Sequence, residues 1–161
     1  MEGDKIGKMR HFIQYHNPQK YGPPGEHQPG EPFWIATSKN ARQLPGNAVW
    51  VVMGQGTPRA YTLFEVFIAG WVEAAVDPDF FFHVGGYDGL RFEPAIELNL
   101  IPWFREMRRS LGNFSLGLTE ITHTYAPRLS ALARLNSAEY VRTEVRWLKD
   151  RGEERPRNTR N

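Results

Sequence analysis

The sequence contains no cysteine, and this absence removes two classes of protein at once. A chain without cysteine is neither a disulfide-stapled scaffold nor a zinc protein with cysteine ligands. The absence is consistent with the reducing cytosol, where disulfides are rare. We therefore expect a cytoplasmic protein.

Long apolar segments are also missing. No stretch of the chain approaches the roughly 20 apolar residues that a membrane-spanning helix requires. The first residues, MEGDKIGK, lack the apolar centre of a signal peptide. We expect no membrane as a partner.

Familiar catalytic motifs are absent as well. The sequence has no phosphate-binding glycine loop with Lys and Ser/Thr, no G-x-S-x-G and no H-E-x-x-H. Its 5 histidines are scattered and show none of the usual spacings of metal ligands. These absences predict no catalytic residues, no metal and no cofactor, and favour a binding module over an enzyme.

One acidic residue, Glu65, lies inside an otherwise apolar stretch. A carboxylate that points into a core needs a partner or a raised pKa. We expect the side chain of Glu65 to lie on the solvent side of its strand.

The chain that remains is compatible with one domain and a real core. It has 161 residues, of which 40% are hydrophobic and 13% aromatic. We predict a disordered tail over residues 1–9, a single domain over 10–150, and a basic polar tail or linker over 151–161. The net charge of +2 permits nucleic-acid binding, with basic residues concentrated at 104–110 and 149–161.

Predicted strands concentrate in the first half of the chain and helices in the second half. The strands are predicted at 10–17, 33–38, 48–54 and 60–73, with an extended segment at 91–99. The helices are predicted at 102–110, 126–135 and 137–151. This order predicts the α+β class, with a small curved mixed sheet or open β-barrel and flanking helices.

Polar and aromatic side chains follow two of the predicted strands. Tyr15, His16 and Asn17 end the first strand, and Trp34 lies in the second. A nucleobase pocket needs flat rings on both sides and an amide or hydroxyl at its edge. Trp34 alone is equally consistent with core packing.

The order HFIQYHN, a variable loop and FWIATSKNARQL resembles the N-terminal part of the PUA-like superfamily. YTH and EVE domains are the most similar members in pattern, and the resemblance covers residues 10–73. YTH domains read N6-methyladenine in RNA, and EVE-like domains read modified cytosine or adenine in DNA beside restriction enzymes. The resemblance implies a reader that flips a modified base into an aromatic pocket, with DNA favoured over RNA.

The resemblance also implies roles for particular residues. Trp34 would be one wall of the pocket and Asn17 would bond the base edge, while the second wall stays open among several aromatics, including Trp71. The predicted base pocket comprises Trp34, Asn17, Tyr15, His16, Ser38, Thr37, Tyr21, Phe81 and Trp103. The predicted phosphate contacts are Lys39, Arg42, Arg105, Arg108 and Arg109. The sequence shows no nuclease motif, so a nuclease effector would be a separate domain or subunit.

Three alternatives stay open. The chain could read methylated RNA, or it could be a small hydrolase of modified nucleosides similar to ASCH domains, with Lys39 and Glu65 in the pocket. It could also be a plain interaction domain whose aromatics are all structural.

Overall fold

A computed structural model describes residues 9–136 of the chain. These residues belong to two compact units, one ending at Ile121 and the other beginning at Thr122. Three predictions lie outside the described residues: the tail at 1–9 except for Met9, the tail at 151–161 and the helix at 137–151.

The described part of the chain is of the α+β class, with two sheets and few helices, as the sequence predicts. Its strands are β1 (His11–His16), β2 (Phe33–Thr37), β3 (Ala48–Gln55), β4 (Ala60–Ile68), β5 (Trp71–Ala74), β6 (Phe82–Gly86), β7 (Asp88–Glu97) and β8 (Thr119–Glu120). Its helices are α1 (Pro18–Tyr21), α2 (Phe104–Ser110) and α3 (Ala126–Leu135), with a 3-10 turn at Gly112–Phe114.

The larger sheet has five strands in the order β7-β4-β3-β1-β8. Strands β1 and β3 run parallel, and the other neighbouring pairs are antiparallel. The smaller sheet is antiparallel and has the order β2-β6-β5, so β2 is one of its edges. The larger sheet is mixed, as predicted, but the prediction of one sheet or an open barrel did not include a second, separate sheet.

A core of apolar side chains forms between the two sheets. Phe12, Val49 and Phe67 of the larger sheet share this cluster with Phe33, Ile35 and Val84 of the smaller sheet. On the other face of the larger sheet, Tyr61 of β4 contacts Phe104 of α2, with ring centroids 5.5 Å apart. Side chains alternate between the two faces of a strand. The smaller sheet therefore covers one face of the larger sheet, and α2 packs on the other.

The prediction of one strand over residues 60–73 is wrong. The chain leaves the larger sheet after Ile68, and β5 joins the smaller sheet. At the crossing, the Gly70 backbone N–H donates to the Gly85 carbonyl over 2.7 Å. A Cβ at Gly86 would collide with the backbone carbonyl of Ile68. The two sheets therefore meet through close backbone approach, which the apolar sequence of the segment does not reveal.

Two helix predictions have different outcomes. The helix predicted at 126–135 is confirmed with its bounds. The helix predicted from Pro102 begins later, at Phe104, with Trp103 as its N-cap. Pro102 therefore precedes the helix and does not occupy its first turn.

Candidate functional site

A cavity of about 570 Å³ opens beside Trp34. One row of side chains crosses four strands of the larger sheet and lines this cavity. Gln14 pairs with Val51, Val51 pairs with Glu65, and Glu65 pairs with Arg91. The larger sheet also contributes Tyr15, His16 and Phe64. The remaining lining comes from β2, from the segment at 21–32 and from Asp77, Phe80 and His83. The volume is within the roughly 300–1,000 Å³ of small-molecule pockets.

Glu65 is buried in the floor of the cavity. Its side chain is 3% exposed, and Oε2 accepts hydrogen bonds from Arg91 Nη2 over 2.9 Å and Nε over 3.2 Å. Burial raises the pKa of Glu65, and the bonds from Arg91 oppose that rise. The expectation that Glu65 faces solvent is wrong, because β4 is covered on both faces and Arg91 supplies the buried partner.

Arg91 also holds the loop that closes one side of the cavity. Its Nη1 donates to the carbonyl of Gly25. His16 Nε2 lies 2.9 Å from the carbonyl of Gly22, and the ring of His27 stacks on Phe33 at 3.9 Å. The loop at 22–32 is therefore attached at three points to the strands around the cavity.

Gln14 contributes an amide to the same floor. Its Nε2 donates to the backbone carbonyl of Ala36 in β2 over 2.5 Å. Its Oε1 is buried and has no hydrogen-bond partner among the described residues. A buried acceptor without a partner is uncommon in native proteins and calls for an explanation.

Four of the predicted pocket residues line the cavity, namely Trp34, His16, Tyr21 and Tyr15. Trp34 is 60% exposed and meets His83 edge-on, with centroids 5.5 Å apart. Tyr21 is 43% exposed, and Phe80 lies against it at 5.2 Å. Tyr15 borders the cavity, but its ring stacks on Phe114 at 5.5 Å.

The other predicted pocket residues do not line the cavity: Asn17, Thr37, Ser38, Phe81 and Trp103. Asn17 caps α1, because its Oδ1 accepts from the Gln19 backbone N–H over 3.0 Å. Thr37 Oγ1 accepts from the Lys39 backbone N–H over 3.1 Å. Trp71, the further aromatic considered, covers Gly85 and contacts Tyr87 at 5.3 Å.

None of the five predicted phosphate contacts lines the cavity: Lys39, Arg42, Arg105, Arg108 and Arg109. Arg108 lies over the ring of Tyr61 at 5.0 Å, and Arg42 lies over Phe82 at 5.7 Å. Between residues 9 and 136, the charged residues that line it are Glu26, Glu31, Glu65, Asp77 and Arg91. The cavity wall is thus more acidic than a phosphate-binding surface.

Sequence reasoning missed Gln14 and Arg91 as residues of the site. Gln14 lies two residues before His16, so strand alternation places both on one face of β1. That signal was present in the sequence. The approach of Arg91 to Glu65 depends on the register of β4 and β7, which no local pattern specifies.

The chain matches no protein-family model, and comparisons with curated proteins and with solved structures find no significant similarity. Among residues 9–136, no three His, Asp or Glu side chains are grouped closely enough to hold a metal ion. None of the helices that the structure describes is long and apolar enough to cross a membrane.

Proposed function

We propose that this chain is a nucleic-acid binding module with a PUA-like fold, which accommodates a modified base in the cavity beside Trp34. The proposed base is a methylated cytosine or adenine, and DNA is favoured over RNA as the nucleic acid that carries it. The observation that carries the proposal is a cavity of suitable size that combines an exposed tryptophan with a buried polar floor.

The aromatic walls support stacking on a flat ligand. Trp34 lines the cavity and is 60% exposed, and Tyr21 lines it as well, with Phe80 against its ring. We assign Tyr21 as the second wall, which the sequence left open. Stacking contributes about 1–3 kcal/mol per base, which offsets part of the cost of unstacking it from a duplex.

The polar floor supports recognition of a hydrogen-bonding edge. Burying an ion pair costs several kcal/mol per ion before their attraction is counted, and apolar residues of similar volume are often as stable or more so. The ion pair of Glu65 and Arg91 therefore contributes little to the stability of the fold beyond what apolar residues would contribute. Beside a cavity, they offer a carboxyl and a guanidinium to a bound base.

The proposal is tested by binding of duplexes that carry one 5-methylcytosine or one N6-methyladenine, against the same unmodified duplexes, by fluorescence anisotropy. We expect Trp34→Ala to weaken binding of the modified duplex about 10-fold, the loss of one stacking wall. Trp71→Ala is the matched control, since Trp71 lies in the same sheet but outside the cavity lining.

A folded Trp34→Ala variant that keeps the full preference for the modified base would overturn the proposal. Methylated RNA of the same sequence, used as a competitor at one stated salt concentration, separates an RNA reader from a DNA reader. An RNA that competes more strongly than the DNA would move the proposal to RNA.

One observation favours a second candidate, hydrolysis of modified nucleosides. The buried carboxyl of Glu65, with its raised pKa, lines the cavity and is suited to proton transfer. Lys39 lies outside that lining, so Arg91 would be the cation beside it. Turnover of N-acylated cytidines that is lost in Glu65→Gln would support this candidate, and no turnover by the wild type would remove it.

A further inference from the structure

The amide of Gln14 has one fixed orientation. Its Nε2 lies 2.5 Å from the carbonyl oxygen of Ala36. A flipped amide would bring Oε1 against that oxygen, and two acceptors would then face each other. Nε2 is therefore committed to β2, and Oε1 is the atom left to bind anything else.

The described residues leave Oε1 of Gln14 without a hydrogen-bond partner. No described residue donates to it, although the atom is buried and Gln14 lines the cavity. An unsatisfied buried acceptor costs about 1–3 kcal/mol. Phe12, two residues before Gln14 on the same face of β1, belongs to the apolar core. An apolar side chain at position 14 would therefore suit the fold at least as well as glutamine.

We propose that Gln14 selects the ligand by accepting a hydrogen bond from an exocyclic amino group of the base. This inference rests on the proposed function, because it assumes that a base enters the cavity. Cytosine and adenine carry an amino group at a position where uracil, thymine and hypoxanthine carry a carbonyl. A carbonyl in that place would leave Oε1 facing a second acceptor, so the keto bases are rejected.

The test uses two pairs of DNA probes that differ in that substituent and in the proton that the keto base carries on the adjacent ring nitrogen: 5-methylcytosine against thymine, and adenine against hypoxanthine. Each base is placed opposite an abasic site in an otherwise identical duplex, so no difference in base pairing enters the comparison. We expect the wild type to bind the amino member of at least one pair about 10-fold more tightly, within the range for one specific base contact.

Gln14→Met removes both polar atoms at similar volume. We expect it to bring the two affinities of the preferred pair within about 2-fold of each other, mainly by weakening the amino member. Gln55→Met is the matched control, because Gln55 ends β3 at an exposed position and lies outside the cavity lining. It should keep the wild-type ratio.

The possible failures are distinguishable. If both pairs bind equally to the wild type, while binding still depends on Trp34, the role of Gln14 is wrong and the proposed function stands. If no probe binds in a manner that depends on Trp34, the proposed function itself fails. The wild-type ratios need no variant, so the inference remains testable even if Gln14→Met does not fold.

Discussion

At the scale of single residues, Glu65 links the site to stability. Burial raises its pKa, so the folded protein binds a proton at Glu65 more readily than the unfolded chain does. Its contribution to the free energy of unfolding is complete below the ordinary carboxyl pKa of about 4.3, and it is lost as pH rises through the raised value. We expect the stability of the wild type relative to Glu65→Gln to fall as pH rises above about 4.

Urea unfolding of both proteins between pH 4 and pH 8 measures that difference. Arg91 loses its carboxylate in the variant at every pH, which lowers stability without producing the same slope. Glu97→Gln is the matched control, at an exposed position of β7. A difference between wild type and Glu65→Gln that is constant or grows with pH would contradict the burial argument.

A second prediction at this scale concerns Gly86, where β6 meets the end of β4. A Cβ there would collide with the backbone carbonyl of Ile68, and backbone cannot move aside cheaply. We expect Gly86→Ala to lower the free energy of unfolding by roughly 1–3 kcal/mol, typical of overpacking. Gly25→Ala is the control, because nothing lies within 4 Å of its Cβ position. Equal stability of the two variants would show that the sheets can separate at this point.

Part of the site is predictable residue by residue, and part is not. Trp34, His16 and Tyr21 line the cavity and were expected from their order along the chain. Asn17 was expected there too, but the helix that begins after it takes its Oδ1. When a side chain could either cap a helix or bind a ligand, the nearest backbone N–H determines which it does. The order of residues alone does not show which N–H is nearest.

At the scale of elements, β4 and β5 show where pattern reasoning ends. The segment from Ala60 to Glu73 is apolar almost throughout, and its periodicity gives no sign that it serves two sheets. The break is made by Gly70 and Gly85, whose backbones bond directly. Glycine in a strand marks such close approach, but the partner is distant in sequence.

The loop at 22–32 is the element that a substitution of Arg91 should affect. Arg91 donates hydrogen bonds both to the carboxylate of Glu65 and to the carbonyl of Gly25. Lysine keeps the charge but lacks the planar, multi-donor geometry that reaches both. We expect Arg91→Lys to speed hydrogen exchange of backbone amides in the loop several-fold, with β3 unchanged, as measured by mass spectrometry.

Arg59→Lys is the control for that experiment, since Arg59 lies over Tyr15 at 5.7 Å and outside the cavity lining. Unchanged exchange in the loop of Arg91→Lys would mean that His16 and His27 hold it without Arg91. Faster exchange in β3 as well would indicate general destabilisation and would also contradict a local tether.

At the scale of the whole molecule, the class of fold follows from the sequence, while the arrangement of its sheets does not. Strands precede helices along the chain, which predicts α+β. Two sheets arise because β6 pairs with both β2 and β5, while β3 and β4 belong to the larger sheet. Such pairing depends on long-range register, so the cavity that both sheets line, with Gln14 bonded directly to Ala36 of β2, was not predictable.

The two sides of the larger sheet give a last prediction, about which cations touch a nucleic acid. Arg105 and Arg109 lie on α2, which packs on the face opposite the row from Gln14 to Arg91. Lys39 and Arg42 instead follow β2, the strand that carries Trp34. A duplex that delivers its base to the cavity should therefore contact Lys39 and Arg42, and not α2.

Affinity measured from 50 to 300 mM salt tests this through the slope of log K against log salt. Each lost phosphate contact makes that negative slope shallower, lowering its magnitude by about 0.9. We expect Lys39→Gln with Arg42→Gln to lower the magnitude by about 2, and Arg105→Gln with Arg109→Gln to leave it unchanged. The second pair is the charge-matched control. A slope that falls only in the α2 variant would place the nucleic acid on the face away from the cavity, and base reading beside Trp34 would then require a different approach of the duplex.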